Sequence, residues 1–221
     1  MKDKSMGLSL NRVEITHNKT PLVSLDRHIS PGEVLTLMGP SGVGKSTLLS
    51  AVIGSLAPAF DLRGRIILNG EDITDRPPHL RRIGILFQDA LLFPHLSVGG
   101  NLAFGLAPGG GREQRKATVE HTLAQVGLEG FADRDPATLS GGQRARVALM
   151  RVLLSQPRAL LLDEPFSGLD ETLRHQIRAV VFEQTRSQNL PVLMVTHDRE
   201  DALAAAGSLV VLGENSVKNS L

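Results

Sequence analysis

At 221 residues and 41% hydrophobic content, the chain can form one large domain, or one domain with an inserted lobe, around an ordinary apolar core. A formal net charge of +1 removes any global electrostatic case for nucleic acid as a partner, and the absence of cysteine excludes disulfides and thiol catalysis. No apolar run reaches membrane-spanning length, and the opening M-K-D-K-S-M-G-L-S-L holds no apolar leader of secretory length, so a soluble chain is expected, one that meets a membrane only through a partner.

In chain order, residues 8–15 alternate enough to suggest a strand, with residues 23–29 as its partner across a turn containing Asn18 and Pro21. Pro31-Gly32 punctuates before the apolar run 34–38, which reads as a buried strand. Residues 45–53, closed by Gly54, read as a helix. Residues 58–64 look irregular, residues 65–69 read as a strand turning at Gly70, residues 72–78 as a loop and residues 83–87 as a short strand. After Gln88 the character changes. Residues 90–106 are apolar but broken by Pro94 and glycines, residues 107–112 (A-P-G-G-G-R) suggest a surface loop, and residues 113–126 and 141–155 suggest helices. Strand character returns at 159–162 and 191–195. One α/β core interrupted by a helical lobe is therefore expected. No internal repeat or heptad pattern is visible.

Three stretches carry chemistry. The first, Gly39-Pro40-Ser41-Gly42-Val43-Gly44-Lys45-Ser46-Thr47, fits G-x-x-x-x-G-K-[ST] between a strand and a helix. Glycines at 39, 42 and 44 allow positive φ, so that successive backbone N–H groups can cradle phosphate oxygens at a helix N-terminus. Lys45 offers a compact cation to the β- and γ-phosphates, and the Ser46 hydroxyl suits Mg²⁺. The second, Ala159-Leu160-Leu161-Leu162-Asp163-Glu164-Pro165, is a doubly buried strand ending in two carboxylates, where open α/β sheets bind ligands. Asp163 suits Mg²⁺. Glu164, before a proline, is expected to be extended and to point away from Asp163, toward an attacking water as its base. The third, Leu139-Ser140-Gly141-Gly142-Gln143, has capping-box spacing at a helix start, which explains the Ser and Gln but not two glycines in a first turn. An anion approaching bare N–H groups would explain them.

Together these motifs resemble the nucleotide-binding subunit of an ATP-binding cassette (ABC) transporter over nearly the whole chain. The resemblance implies a P-loop NTPase (RecA-like) α/β fold with a mostly parallel sheet, an N-terminal antiparallel β subdomain and an inserted helical subdomain. Residues 1–87 and 156–221 would form the core and residues 88–155 the insert. It also implies roles. Leu139 to Gln143 is similar to the family signature, Gln88 to the glutamine that meets Mg²⁺ and water, and Ser167-Gly168-Leu169-Asp170 to the segment whose Asp170 reaches across a dimer. His197 is similar to the switch histidine at the γ-phosphate. The implied cofactors are ATP and Mg²⁺. Two copies would pack head to tail, each ATP lying between one P-loop and the partner's signature helix.

Residues 78–88 and 92–98 resemble the bacterial importer branch, which implies transmembrane permease subunits, an extracytoplasmic solute-binding protein and a peripheral place on the cytoplasmic side of the inner membrane. An exporter ATPase is the alternative, and a non-transport ABC ATPase a more distant one. The C-terminal regulatory domain of several importer ATPases would be missing, since the chain ends about 24 residues after His197. Leu91, Leu92 and Phe93 would line the groove for a permease helix, or else pack in the helical lobe. The family's adenine-stacking aromatic has no counterpart before Phe60, which leaves His17 as the candidate and weak base selectivity as the expectation.

Overall fold

The computed structural model describes residues 6–213. Residues 1–5, read above as part of an opening without a leader, and residues 214–221, read as the end of the core, lie outside the described residues. The described residues form two compact units: 6–85, 158–164 and 185–213 make the first, Leu86–Pro157 and Pro165–Gln184 the second.

The first unit contains two sheets. In the antiparallel one, β1 (Leu8–His17) lies between β2 (Thr20–Ile29) and β4 (Phe60–Leu68), with the short β5 (Glu71–Asp72) beyond β4. Leu8, Leu10, Val13 and Ile15 of β1 are all buried, although 10 and 13 break a strict alternation. A bulge at Asn11–Arg12 makes the correction, with Arg12 at φ 48. Gly64 of β4 lies against this bulge at φ 89, where a Cβ would overlap the Arg12 carbonyl. This corrects the sequence reading of 58–64 as irregular. The pairing of Phe60–Arg63 with His17–Glu14 makes these residues strand, and no local signal announces it.

The second sheet has the order β6-β7-β8-β3-β9. Its strands are β3 (Val34–Met38), β6 (Ile83–Leu86), β7 (Ala159–Asp163), β8 (Val192–Val195) and β9 (Ser208–Val211). β3 pairs in parallel with both β8 and β9, and β7 with β8. The apolar runs of β7 and β8 are buried throughout and that of β3 as far as Leu37, with Met38 half-buried, as a parallel sheet covered on both faces requires. The α/β class expected from the sequence is the class the chain adopts.

Helix α1 (Lys45–Ile53) follows β3 and packs Leu48, Leu49 and Val52 into the core. Its C-terminus is closed twice. The Gly54 N–H donates to Ser50 O and Ala51 O, and Arg81, at the end of α2 (Pro78–Arg81), donates to Ala51 O and Val52 O at 2.7 and 2.9 Å. Helix α7 (Arg199–Ala205) follows β8.

The second unit holds α3 (Val98–Gly105), α4 (Arg112–Gln125), α5 (Gly141–Leu154) and most of α6 (Glu171–Ser187). The glycines that seemed to break 90–106 in the sequence permit close packing instead. A Cβ on Gly99 would stand 3.0 Å from Ala132 O, and one on Gly105 would overlap the Arg151 backbone of α5. Asn101, fully buried, holds the segment before α3 by donating to Phe93 O, Leu96 O and Ser97 O and accepting from Phe93 N.

Candidate active site

The first unit brings the P-loop, Asp163, Glu164 and His197 together. β3 delivers the chain to Gly39, and the loop turns through Gly39, Gly42 and Gly44 at φ 155, 83 and 97 before α1 begins. Gly44 is doubly constrained, because a Cβ there would stand 2.9 Å from Leu22 Cγ and 3.1 Å from Val23 Cβ. Pro40, Ser41 and Gly42 are exposed, Val43 and Thr47 half-buried. Lys45 is buried at 8% exposure, and its Nζ donates to Gly39 O at 2.7 Å and Pro40 O at 3.0 Å. Two of its three N–H bonds thus pin the cation across its own loop, leaving a third for an anion.

At the end of β7, Asp163 Oδ1 accepts from Ser46 Oγ at 3.5 Å. Burial and then the charge of Glu164 push the Asp163 carboxyl pKa up, while Ser46 and Lys45 pull it back. A desolvated carboxylate beside a hydroxyl and a second carboxylate is a site that a hard cation would relieve, and the donors are the oxygen ligands Mg²⁺ takes. Among the described residues no group of three or more His, Cys, Asp or Glu side chains stands ready as a self-sufficient metal site. A cation here would share its coordination with a ligand and water, as Mg²⁺ does on phosphates.

Glu164 departs from expectation. Its φ is 46, left-handed rather than extended, despite the following proline. Its N–H donates to Val195 O at 2.9 Å, prolonging the β7–β8 ladder by one residue before the chain turns. The turn sends the carboxylate to His197, whose Nδ1 lies 3.2 Å from Glu164 Oε2. Backbone strain of this sort persists only where surrounding contacts hold it. His197 sits just past β8 on an exposed bend.

His17, at the last position of β1, is cross-strand partner of Phe60, the first of β4, and the two ring centroids are 5.0 Å apart. Sequence reasoning did not connect Phe60 with His17. The only signal was the length of β4, which local composition hid.

The second unit holds the remaining candidates. Gln88 is exposed, two residues past β6. Ser140 and Gln143 form the capping box expected from their spacing: Ser140 N donates to Gln143 Oε1 at 2.9 Å and Gln143 N to Ser140 Oγ at 3.3 Å. The two glycines between them differ. A Cβ on Gly142 would overlap the Leu173 side chain of α6, whereas one on Gly141 would meet nothing within 4 Å. Packing against Leu173 is thus a second reason for glycine at 142, while at Gly141 no neighbour of this kind accounts for it. Asp170 is exposed, and its Oδ1 accepts from Leu173 N at 3.0 Å at the start of α6. Leu91 is 57% exposed while Leu92 and Phe93 are half-buried, with Phe93 set edge-on to Phe104 at 4.6 Å. No helix among the described residues is long and apolar enough to cross a membrane.

Residues 22–167 match the sequence family described as ABC transporter. The chain is 51% identical over 188 residues to an uncharacterized ABC transporter ATP-binding protein, YnjD, of Escherichia coli, covering 85% of this chain and 87% of that one. It is 42% identical over 211 residues to the thiamine import ATP-binding protein ThiQ of Yersinia pseudotuberculosis, covering 95% and 88%. It is 45% identical over 202 residues to the spermidine/putrescine import ATP-binding protein PotA 1 of Pseudomonas aeruginosa, covering 89% of this chain but only 54% of that longer one. A phosphate-cradling loop, two carboxylates and a histidine converging on it, and these matches lead to one conclusion: the chain belongs to the ABC transporter family, as an ATP-binding, ATP-hydrolysing subunit.

Proposed function

We propose that this chain hydrolyses ATP to power import of a small solute or ion through membrane permease subunits, from the cytoplasmic side of the inner membrane. Import rests on the relatives, whose names assign them to thiamine and to spermidine/putrescine import. A solute-binding protein outside the membrane would deliver the cargo to the permease.

The observation that carries the chemistry is the adjacency on one strand end of two differently engaged carboxylates: Asp163 on Ser46 at 3.5 Å, and Glu164 on His197 at 3.2 Å. The N–H groups of Gly42 to Ser46 and the Lys45 ammonium bind and orient the triphosphate. Ser46 and Asp163, with Gln88, would hold Mg²⁺, which when bound neutralises charge on the β- and γ-phosphates. Glu164 takes the proton of the attacking water, and His197 holds Glu164 until the γ-phosphate engages the imidazole. The paired rings of His17 and Phe60 offer the base a stacking edge. Ser140, Gly141, Gly142, Gln143 and Asp170 of a second copy complete the site, so hydrolysis requires a dimer.

The test is Glu164→Gln in the full chain. ATP binding within about twofold of native, turnover down at least a hundredfold and an ATP-dependent dimer by light scattering are expected. Undiminished steady-state hydrolysis would overturn the base assignment. In cells, solute uptake that fails with Glu164→Gln supports import, whereas lost efflux points to an exporter.

A further inference from the structure

We infer that Asp201 is a positioning residue for His197, acting through the Thr196 hydroxyl. The mechanism above makes no use of Asp201, yet this carboxylate is only 3% exposed. An acidic residue in the first turn of a helix such as α7 is favourable at the surface, where the macrodipole is complemented without loss of hydration. Burying it is costly unless its oxygens are engaged. Asp201 Oδ2 accepts from Thr196 Oγ1 at 3.0 Å, and Thr196 Oγ1 in turn accepts from the Asp198 N–H at 3.0 Å.

These bonds bracket His197. On one side Thr196, 1% exposed, is fixed by its N–H to Leu37 O at 3.2 Å, which carries the β8–β3 ladder one step past β8. On the other side Asp198 is fixed by the Thr196 hydroxyl and by its own carboxylate, which accepts from Glu200 N at 2.7 Å. Only the residue between them is exposed. Its ring, 65% exposed, must reach Glu164 Oε2 at 3.2 Å from a bend that has no regular secondary structure. The buried carboxylate and the hydroxyl it accepts from make that bend rigid and set the direction in which the imidazole leaves it.

This inference rests on the role given to His197, and the experiment separates the two. The full chain labelled with ¹⁵N-histidine is compared as native, Thr196→Val, Thr196→Ser and Asp201→Leu, with His197→Ala to assign the ring signal. Thr196→Val keeps the side-chain shape and removes the hydroxyl; Thr196→Ser keeps the hydroxyl. The ring signal of His197 is expected to move in Thr196→Val and stay in Thr196→Ser. Turnover is expected to fall at least tenfold in Thr196→Val and Asp201→Leu, with KM for ATP within about twofold, and to stay within about threefold of native in Thr196→Ser. An unmoved ring signal in Thr196→Val overturns the inference, as does an equal loss of turnover and melting temperature in both Thr196 variants. If His197→Ala hydrolyses ATP normally while the ring signal still moves, the inference stands and the role of His197 falls.

Discussion

Two residue-scale consequences follow from the neighbours of Asp163 and His17. The Asp163 carboxyl pKa is raised, first by burial and then by the Glu164 charge. A raised carboxyl binds its proton more tightly folded than unfolded, so protonation favours the fold, and that contribution is lost as pH rises through the folded value. Cation binding runs the other way, because it needs the ionised form. Mg²⁺-dependent nucleotide affinity should therefore decline, on acidification from neutrality, at a pH above that of an ordinary aspartate. Titration calorimetry with and without Mg²⁺ across that range measures it. Asp163→Asn should abolish the Mg²⁺ increment and flatten the profile; a decline only at the ordinary aspartate range would show that the carboxyl is not perturbed. At His17 the pairing with Phe60 suggests a shared base platform. Phe60→Ala should weaken ATP binding by about 1 kcal/mol, the scale of one aromatic contact. It should narrow whatever preference exists for ATP over GTP, and fluorescent-nucleotide displacement reports both.

Elements show why some of this was legible and some was not. The P-loop, the Asp163–Glu164 strand end and the Ser140–Gln143 box could be read directly, because each is set by residues within a few positions of one another. Contacts between distant segments could not. Gly64 answers the bulge at Arg12, Phe60 meets His17 across β1 and β4, and Gly142 packs against Leu173. Glu164 adopts φ 46 because its N–H stays on the Val195 carbonyl while its carboxylate turns to His197, which the proline rule cannot foresee. Arg81 is a further case. In sequence it is one of two adjacent arginines, yet it is 5% exposed and donates to Ala51 O, Val52 O, Thr74 O and Arg76 O. A buried cation thereby closes the C-terminal end of the helix that begins at the P-loop, complementing its dipole. Burial lowers the Arg81 pKa, but a guanidinium stays charged. Arg81→Leu would leave those carbonyls unpaired and should destabilise the chain by about 3 kcal/mol. The urea midpoint should drop while the slope stays unchanged. A loss under about 0.5 kcal/mol would mean that water substitutes freely for the guanidinium.

At the scale of the whole molecule the question is whether one chain suffices. The candidates of the first unit can bind a triphosphate, but Gly141 belongs to the second unit and offers its helix start to open space. A carboxylate at that start suits the chain itself. Replacing a first-turn glycine recovers about 0.5–1 kcal/mol of helix propensity, and a negative charge there adds about 0.3–1 kcal/mol with the dipole. The same carboxylate would repel a triphosphate offered by a second copy. Gly141→Glu should therefore raise the melting temperature by a few degrees and leave ATP affinity of the isolated chain within about twofold. It should also abolish both the ATP-dependent dimer of the Glu164→Gln background and steady-state turnover. Native turnover per chain should rise with chain concentration until dimerisation saturates, and Gly141→Glu should show no such rise. The two arms are decisive together, because a fold made firmer and a reaction lost cannot both come from damage to the chain. Turnover that survives Gly141→Glu, or that is independent of chain concentration, would return the active site to a single copy.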